Sequence, residues 1–376
     1  MSITSQGEQS HPRVLIAAGG TGGHIFPAIA LGEAFRLHFP DVYVRFACGE
    51  RDLERRLYAD QGIDPIIFPA RQLGSGLADK FKGASAAAAN TLRAVQLIRS
   101  ERFDVVVGMG GYVSGPAVLG GLLSARKTVI HEANSVPGKT NRVLAPYVTL
   151  TALHFAETAK LLRARRSAVV GMPIRESVGI GDRAEAMHVF GLDASKKTLL
   201  VLGGSQGARF LYQTLMNALP ALDTPHNANV QILWSTGAGN FDELQHRLRE
   251  TTLKHITVKL VPFILEMDLA LAASDVALAR AGASSMAELL SCGIYALYVP
   301  FPSAIYDHQT LNAQQAVKAG VGEMIAEKDL SAERAQESLQ RLLDKTVPGQ
   351  RTPVPDNMDS RHAARRLAEA ILALVA

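Results

Sequence analysis

One device is written twice in this chain, about half its length apart. RVLIAAGGTGGH (13–24) and TLLVLGGSQGAR (198–209) each carry an apolar, strand-length run into a glycine-rich loop and on into a helical pattern. A strand that stops at glycines and reopens as a helix begins a βαβ unit, and parallel sheets covered by helices follow from repeating it. VYVRFAC (42–48), FDVVVGM (103–109) and TVIHEA (128–133) continue the alternation after the first copy. VQILWSTG (230–237), ITVKLVPF (256–263), DVALARAG (275–282) and YALYVPF (295–301) continue it after the second. The repeat predicts an α/β chain of two Rossmann-like domains, with parallel sheets facing a cleft that serves as the binding site. GMPIRESVGIGD (171–182) breaks the pattern and marks the hinge. The last segment (359–376) sets Ala364, Leu367, Ile371 and Leu374 on one helical face, fit to cross back onto the first domain. The expected division is 1–172 plus 357–376 against 173–356.

Composition narrows the class. The 376 residues are 47% hydrophobic and 20% charged, enough apolar surface to build two cores and to exclude a disordered chain. Two distant cysteines, Cys48 and Cys292, form neither a disulfide framework nor a zinc spacing, which fits a reducing cytoplasm. MSITSQGEQSHPR at the start is polar and reads as neither a secretory signal nor an anchor. Residues 105–125 are uncharged and long enough to span a membrane, but six glycines and Pro116 make them a buried strand, a glycine loop and a short helix. Charge is uneven: residues 1–172 hold 20 basic against 13 acidic side chains, and 173–356 hold 16 against 20. The first half therefore suits an anionic surface or ligand, with solvated surface charge as the plain alternative.

GGTGGH (19–24) lies where free backbone N–H groups and a helix dipole bind phosphate. It is not a dinucleotide fingerprint, because Ile25 occupies the third glycine position. His24, at the helix start, is a candidate general base. GKT (138–140) lacks the first P-loop glycine, and HEANS (131–135) lacks the second histidine of a zinc protease. GGSQG (203–207) matches a nucleophile elbow, so Ser205 with Asp275 and His308 offers a serine-hydrolase alternative. ARAGASSMAELLSCG (279–293) opens a second helix with small residues, giving an anion site at Ala283–Met286. Glu288, one turn on, can accept both hydroxyls of a ribose, or can simply partner the helix dipole.

Taken together, GGTGGH, GGYVSGP (110–116), HEANSVPGKTNR (131–142), GMPIR, GGSQGAR, RAGASSMAEL (280–289) and PFPSAIYDHQTLNA (300–313) resemble the MurG-type N-acetylglucosaminyltransferases of peptidoglycan synthesis, in order and spacing. The resemblance implies a GT-B fold and transfer of GlcNAc from UDP-GlcNAc to undecaprenyl-diphospho-MurNAc-pentapeptide (lipid I), giving lipid II. It implies that Ser205 and Ala283, Ser284, Ser285, Met286 and Ala287 hold the diphosphate, Glu288 the ribose and Ile264 the uracil through its backbone. Arg175 would add positive charge, and Gln309, Asn134, Thr21, Gly22 and Gly23 would surround the sugar and acceptor. Ala133, Lys139, Arg142, Met172 and Ile174 depart from the usual family pattern without removing a donor-binding group.

The implied reaction is an inverting displacement that needs a base, for which His24 is the choice, and stabilisation of the leaving diphosphate. No cofactor or obligatory metal is expected, and nucleic acid is not an expected partner. Another GT-B activity on UDP-sugars, a soluble-acceptor transferase or an epimerase, is the nearest rival. The implied location is peripheral, on the cytoplasmic face of the bacterial cell membrane, with partners among cell-wall or division proteins. In LGSGLADKFKGA (73–84), Leu77 and Phe81 beside Lys80 and Lys82 read either as a glycine-rich interruption suited to shallow docking on anionic lipid or as an ordinary loop whose Leu77 and Phe81 cover the domain core.

Overall fold

The computed structural model describes residues 11–69, 77–204, 208–302, 304 and 307–376, with 77–82 and 84 described by their backbone. The chain divides into two compact units. The first holds the chain through Glu132, then Gly138–Val170 and Ala364–Ala376, and the second holds Ala133–Pro137 and Gly171–Ala363.

In the first unit, β1 (Arg13–Ala18), β2 (Tyr43–Cys48), β3 (Ile66–Ile67), β4 (Val105–Gly110), β5 (Lys127–Glu132), β6 (Leu150–Leu153) and β7 (Ser167–Val169) form a sheet ordered 3-2-1-4-5-6-7. In the second, β8 (Lys197–Leu202), β9 (Val230–Ser235), β10 (Thr257–Val261), β11 (Val276–Ala279), β12 (Tyr295–Tyr298) and β13 (Gly322–Met324) are ordered 10-9-8-11-12-13. Neighbouring strands are parallel throughout. Both sheets grow outward from their first strand in two directions. The reversal falls between β1 and β4 in one and between β8 and β11 in the other, and ligands of open parallel sheets bind beyond the strand ends at such points.

Both faces of each sheet are covered, which explains why the strands read as continuous apolar runs. Val14 and Ile16 of β1 pack with Leu31 and Phe35, whereas Leu15 and Ala17 pack with Ala94, Ile98 and Val113 on the other face. Leu200 and Leu202 of β8 likewise face one core, and Leu199 and Val201 the other. The uncharged stretch 105–125 folds as β4, a glycine loop and the helix Ser114–Leu123. Among the described residues, no helix is long and apolar enough to cross a membrane.

The C-terminal helix Ala363–Leu372 brings Leu367, Ile371 and Leu374 into the first core, and Ala364 packs on Ala30 and Ala34. Arg366 Nε donates to the Val170 carbonyl at 3.0 Å. One sequence expectation is corrected. Residues 77–84 do not interrupt the alternation, because they open the helix Leu77–Ser100. The alanine-rich run that follows has strong helical propensity and outweighs the single Gly83.

Candidate functional site

At the first unit's reversal two glycine loops interlock. Gly19 N–H donates to the Gly110 carbonyl at 3.3 Å, and a Cβ on Gly111 would run into the Gly19 carbonyl. Gly20 follows with φ +90°, a left-handed conformation that a side chain resists. Thr21 is the N-cap of the helix Gly22–His38 and makes no side-chain cap, with no acidic residue in the first turn. His24 lies against Gly110, where a Cβ would come within 2.9 Å of Nε2. Its Nδ1 is 3.2 Å from the Gly19 carbonyl oxygen, which can only accept. Nδ1 therefore carries the proton in the neutral ring, and Nε2 is the basic nitrogen.

Beneath these loops lies a fully buried carboxylate, Glu54. Its Oε2 accepts from Gly49 N–H at 2.6 Å, and its Oε1 from the Tyr112 hydroxyl at 2.5 Å. Burial first, then the Glu54 contact, push the Tyr112 phenol well above its ordinary range. The Arg51 guanidinium lies 5.4 Å from the centre of the Tyr112 ring.

In the second unit β8 ends in Gly203 and Gly204. A Cβ on Gly203 would run into the Tyr212 hydroxyl, which donates to the Ser235 carbonyl at 2.9 Å. Gly204 has φ +75°, matching Gly20. After β11, the helix Ala283–Ser291 opens from Gly282, which has no side chain to cap it, and carries no acidic residue in its first turn. Its N-terminal dipole end favours an anion. Glu288 sits in the second turn. Burial pushes its carboxyl up to about 7, and the Arg175 guanidinium pulls the other way. Arg175 Nη1 also reaches the Leu265 carbonyl at 3.5 Å, next to buried Ile264. Arg175, Glu288 and the 264–265 backbone are therefore brought together.

Two further residues organise this end of the sheet and carried no role in the sequence reading. Arg280, 5% exposed, donates from Nη1 to the carbonyls of Val299 (3.0 Å) and Pro300 (3.3 Å) and pairs with Glu327. Gln309 Oε1 accepts from Phe301 N–H at 3.0 Å, which ties the start of the following helix to Phe301. Asn312 is fully buried; its Nδ2 donates to Asn134 Oδ1 at 3.2 Å and to the Ala281 carbonyl at 3.3 Å. Its Oδ1 accepts from Ser135 N–H and Oγ–H, both at 3.1 Å. Asn134 is thereby tied to the approach of the Ala283 helix. Both residues stood inside quoted motifs, Arg280 first in RAGASSMAEL and Asn312 near the end of the last, and that position was the available signal.

Thr21, Gly22, Gly23 and His24 share one helix start in the first unit, while Ala283, Ser284, Ser285, Met286, Ala287 and Glu288 share another in the second. Ser205 lies outside the described residues. Leu77, Lys80, Phe81 and Lys82 are in helical backbone, and their side chains lie outside the description. The hydrolase alternative fails on geometry. Asp275 precedes β11 at the end of the sheet opposite the glycine loops. Its carboxylate is saturated by Arg183 (3.1 Å), Thr198 N–H (2.8 Å) and Gly349 N–H (2.7 Å), so it cannot orient a histidine at the glycine end of β8.

Two parallel-sheet α/β units, each with an anion-friendly helix start at its reversal point, are the architecture of the GT-B class. Residues 14–153 match the glycosyltransferase family 28 N-terminal domain, and 198–370 match its C-terminal domain. The chain belongs to glycosyltransferase family 28 and, within it, to the UDP-N-acetylglucosamine--N-acetylmuramyl-(pentapeptide) pyrophosphoryl-undecaprenol N-acetylglucosamine transferases, the MurG family. It is 36% identical to the member from Chlorobaculum tepidum, over 96% of this chain and 99% of that protein. It is also 36% identical to the member from Halothermothrix orenii, over 88% and 90%. The crystal structure of Acinetobacter baumannii MurG superposes with TM-score 0.72 at 24% identity, covering 96% of this chain and 99% of that one. A Neisseria meningitidis UDP-GlcNAc 2-epimerase bound to UDP-GlcNAc shares the fold with TM-score 0.68 at 11% identity, covering 96% of this chain and 100% of that one.

Proposed function

We propose that this protein transfers GlcNAc from UDP-GlcNAc to the MurNAc C4 hydroxyl of lipid I, with inversion at the anomeric carbon, to give lipid II. The observation that carries this reading is the 36% identity to a relative named for that transfer along 96% of the chain. In this reading the second unit holds the donor. The Ala283 helix start and Arg175 face the diphosphate, Ser205 adds a hydroxyl, Glu288 accepts from the ribose hydroxyls, and the Ile264 backbone meets the uracil. Thr21, Gly22 and Gly23 in the first unit, with Asn134 and Gln309, attend the sugar and the acceptor.

The acceptor O4 attacks the anomeric carbon while the bond from that carbon to the β-phosphate oxygen breaks, and the electron pair leaves on UDP. His24 takes the O4 proton at Nε2, the nitrogen its Gly19 contact leaves basic. Helix dipole and guanidinium stabilise the negative charge that develops on the departing diphosphate. The first unit also meets the anionic membrane, through Leu77, Lys80, Phe81 and Lys82. Leu92, further along the same helix, is exposed as well.

Incubation with radiolabelled UDP-GlcNAc and a lipid I analogue tests the reading. A labelled lipid product with a β-1,4 linkage is expected. Conversion of UDP-GlcNAc to its 2-epimer without acceptor, or UDP release with no lipid product, would overturn it.

A further inference from the structure

Among the described residues, Glu54 is the one fully buried carboxylate beside the first pair of glycine loops, and the reaction described above gives it no part. Burying a carboxylate is strongly unfavourable unless each oxygen is engaged. Here both are: one accepts from Gly49 N–H at 2.6 Å and the other from Tyr112 O–H at 2.5 Å. The surroundings are shaped around it. A Cβ on Gly19 would sit 2.8 Å from Glu54 Oε2, and one on Gly49 would sit 2.6 Å from the same atom. Three segments distant in sequence, the ends of β1 and β2 and the loop after β4, therefore close on one charge. Tyr112 follows directly on Gly110 and Gly111, the residues that seat the His24 ring and abut the Gly19 carbonyl.

We propose that Glu54 is a positioning residue: by gripping the Tyr112 hydroxyl and the Gly49 N–H, it clamps the 110–112 loop onto the 19–21 loop and so fixes the His24 ring in its reactive orientation. The carboxylate touches no substrate. It acts through Tyr112, and the hydroxyl of Tyr112 is committed inward rather than to the acceptor. This inference rests on the transferase reading for its kinetic arm and stands apart from it in its spectroscopic arm.

The test is a double-mutant cycle of Glu54→Gln and Tyr112→Phe in the full-length protein. Each single variant is expected to lower kcat for GlcNAc transfer by roughly 10- to 100-fold, the scale for a misplaced catalytic group. UDP affinity, measured by calorimetry, stays within about twofold, because the donor contacts lie in the other unit. The double variant is expected to be no worse than Tyr112→Phe alone. In parallel, 13C-labelled tyrosine NMR follows the Tyr112 phenol, assigned by its disappearance in Tyr112→Phe. Its titration moves down toward the ordinary tyrosine range in Glu54→Gln. Additive losses, an unmoved Tyr112 titration, or an equal loss of UDP affinity would each overturn the proposal. If Glu54→Gln does not fold, full kcat in Tyr112→Phe overturns it equally. A wild-type protein that makes no lipid product would refute the transferase reading, whereas the Tyr112 titration would still decide the Glu54 contact.

Discussion

The glycine pairs that follow β1 and β8 share a left-handed second residue and have different foundations. In each, the first glycine has no room for a side chain and the second turns left-handed, at φ +90° for Gly20 and +75° for Gly204. Beneath Gly19 lies a buried carboxylate bonded to Tyr112 of the neighbouring loop, so two loops are fastened to each other through a charge. Beneath Gly203 lies the neutral hydroxyl of Tyr212, from the helix that the loop itself opens, donating to a strand carbonyl. The repeated motif thus sets a conformation, and its chemical role depends on residues far outside it. One copy carries a histidine on an interlocked pair of loops; the other lies in the unit where a shifted carboxylate and an arginine meet.

The largest expected effect tests the first copy. His24→Ala should lower turnover roughly 100-fold or more with little change in the Michaelis constant for UDP-GlcNAc, as loss of a general base requires. Near-normal steady-state turnover would move the base elsewhere and leave the first loop as a scaffold only.

The second copy is tested at Glu288. Glu288→Gln should weaken UDP binding by roughly 1.5 to 3 kcal/mol, the scale of hydrogen bonds to a charged group. Burial raises this carboxyl to about 7, above the ordinary carboxylate range. In the ligand-free protein its contribution to stability is therefore present at low pH and lost as pH rises through the folded value. Ribose hydroxyls donate to the ionised form, so UDP affinity should rise between about pH 6 and 8 in the wild type and stay flat in Glu288→Gln. Titration calorimetry across that range decides it, and parallel curves for the two proteins would remove Glu288 from the ribose.

A smaller effect probes the shared backbone. Gly20→Ala and Gly204→Ala should each cost about 1 to 2 kcal/mol in thermal or denaturant unfolding, because the strain of a left-handed residue is the same in both. Among the described residues neither position is crowded: a Cβ at Gly20 would meet nothing closer than 4.0 Å, and one at Gly204 nothing within 4 Å. A cost several times larger at one of them would break the equivalence. The smallest effect concerns the surface. Reversing Lys80 and Lys82 to Glu should reduce sedimentation with anionic vesicles, at about 1 kcal/mol per lysine, and the difference should shrink with added salt. Equal binding by both proteins at low salt would reject this docking segment.

What the sequence discloses is local. The strand, glycine loop and helix succession is legible because hydrophobic period and glycine placement sit within a dozen residues, and β4 with its following helix separates from a membrane span for the same reason. The helix Leu77–Ser100 is obscured at its start by the glycines of LGSG and KGA, which mimic a loop signal. Glu54 and Tyr112 stand 58 positions apart, and Ser135 and Asn312 177 apart, so no spacing rule announces either pair. Asp275 is the converse case. Its order along the chain suits a hydrolase, but order does not reveal which end of a strand a residue occupies, and Asp275 enters β11 at the wrong one.

The return of the C-terminal helix to the first unit has a consequence for biogenesis. Leu367, Ile371 and Leu374 pack against the same core as Val14, Ile16 and Val105. On the ribosome, the sheet that leaves the exit tunnel first is therefore the one completed last, after all of the second unit has been made. Until then this core, already packed by Leu31 and Phe35, lacks the cover of these three residues, at synthesis rates of about 5 to 20 residues per second. A released chain truncated before Leu367 should accordingly show a finished second unit and a first unit that still binds holdase chaperones.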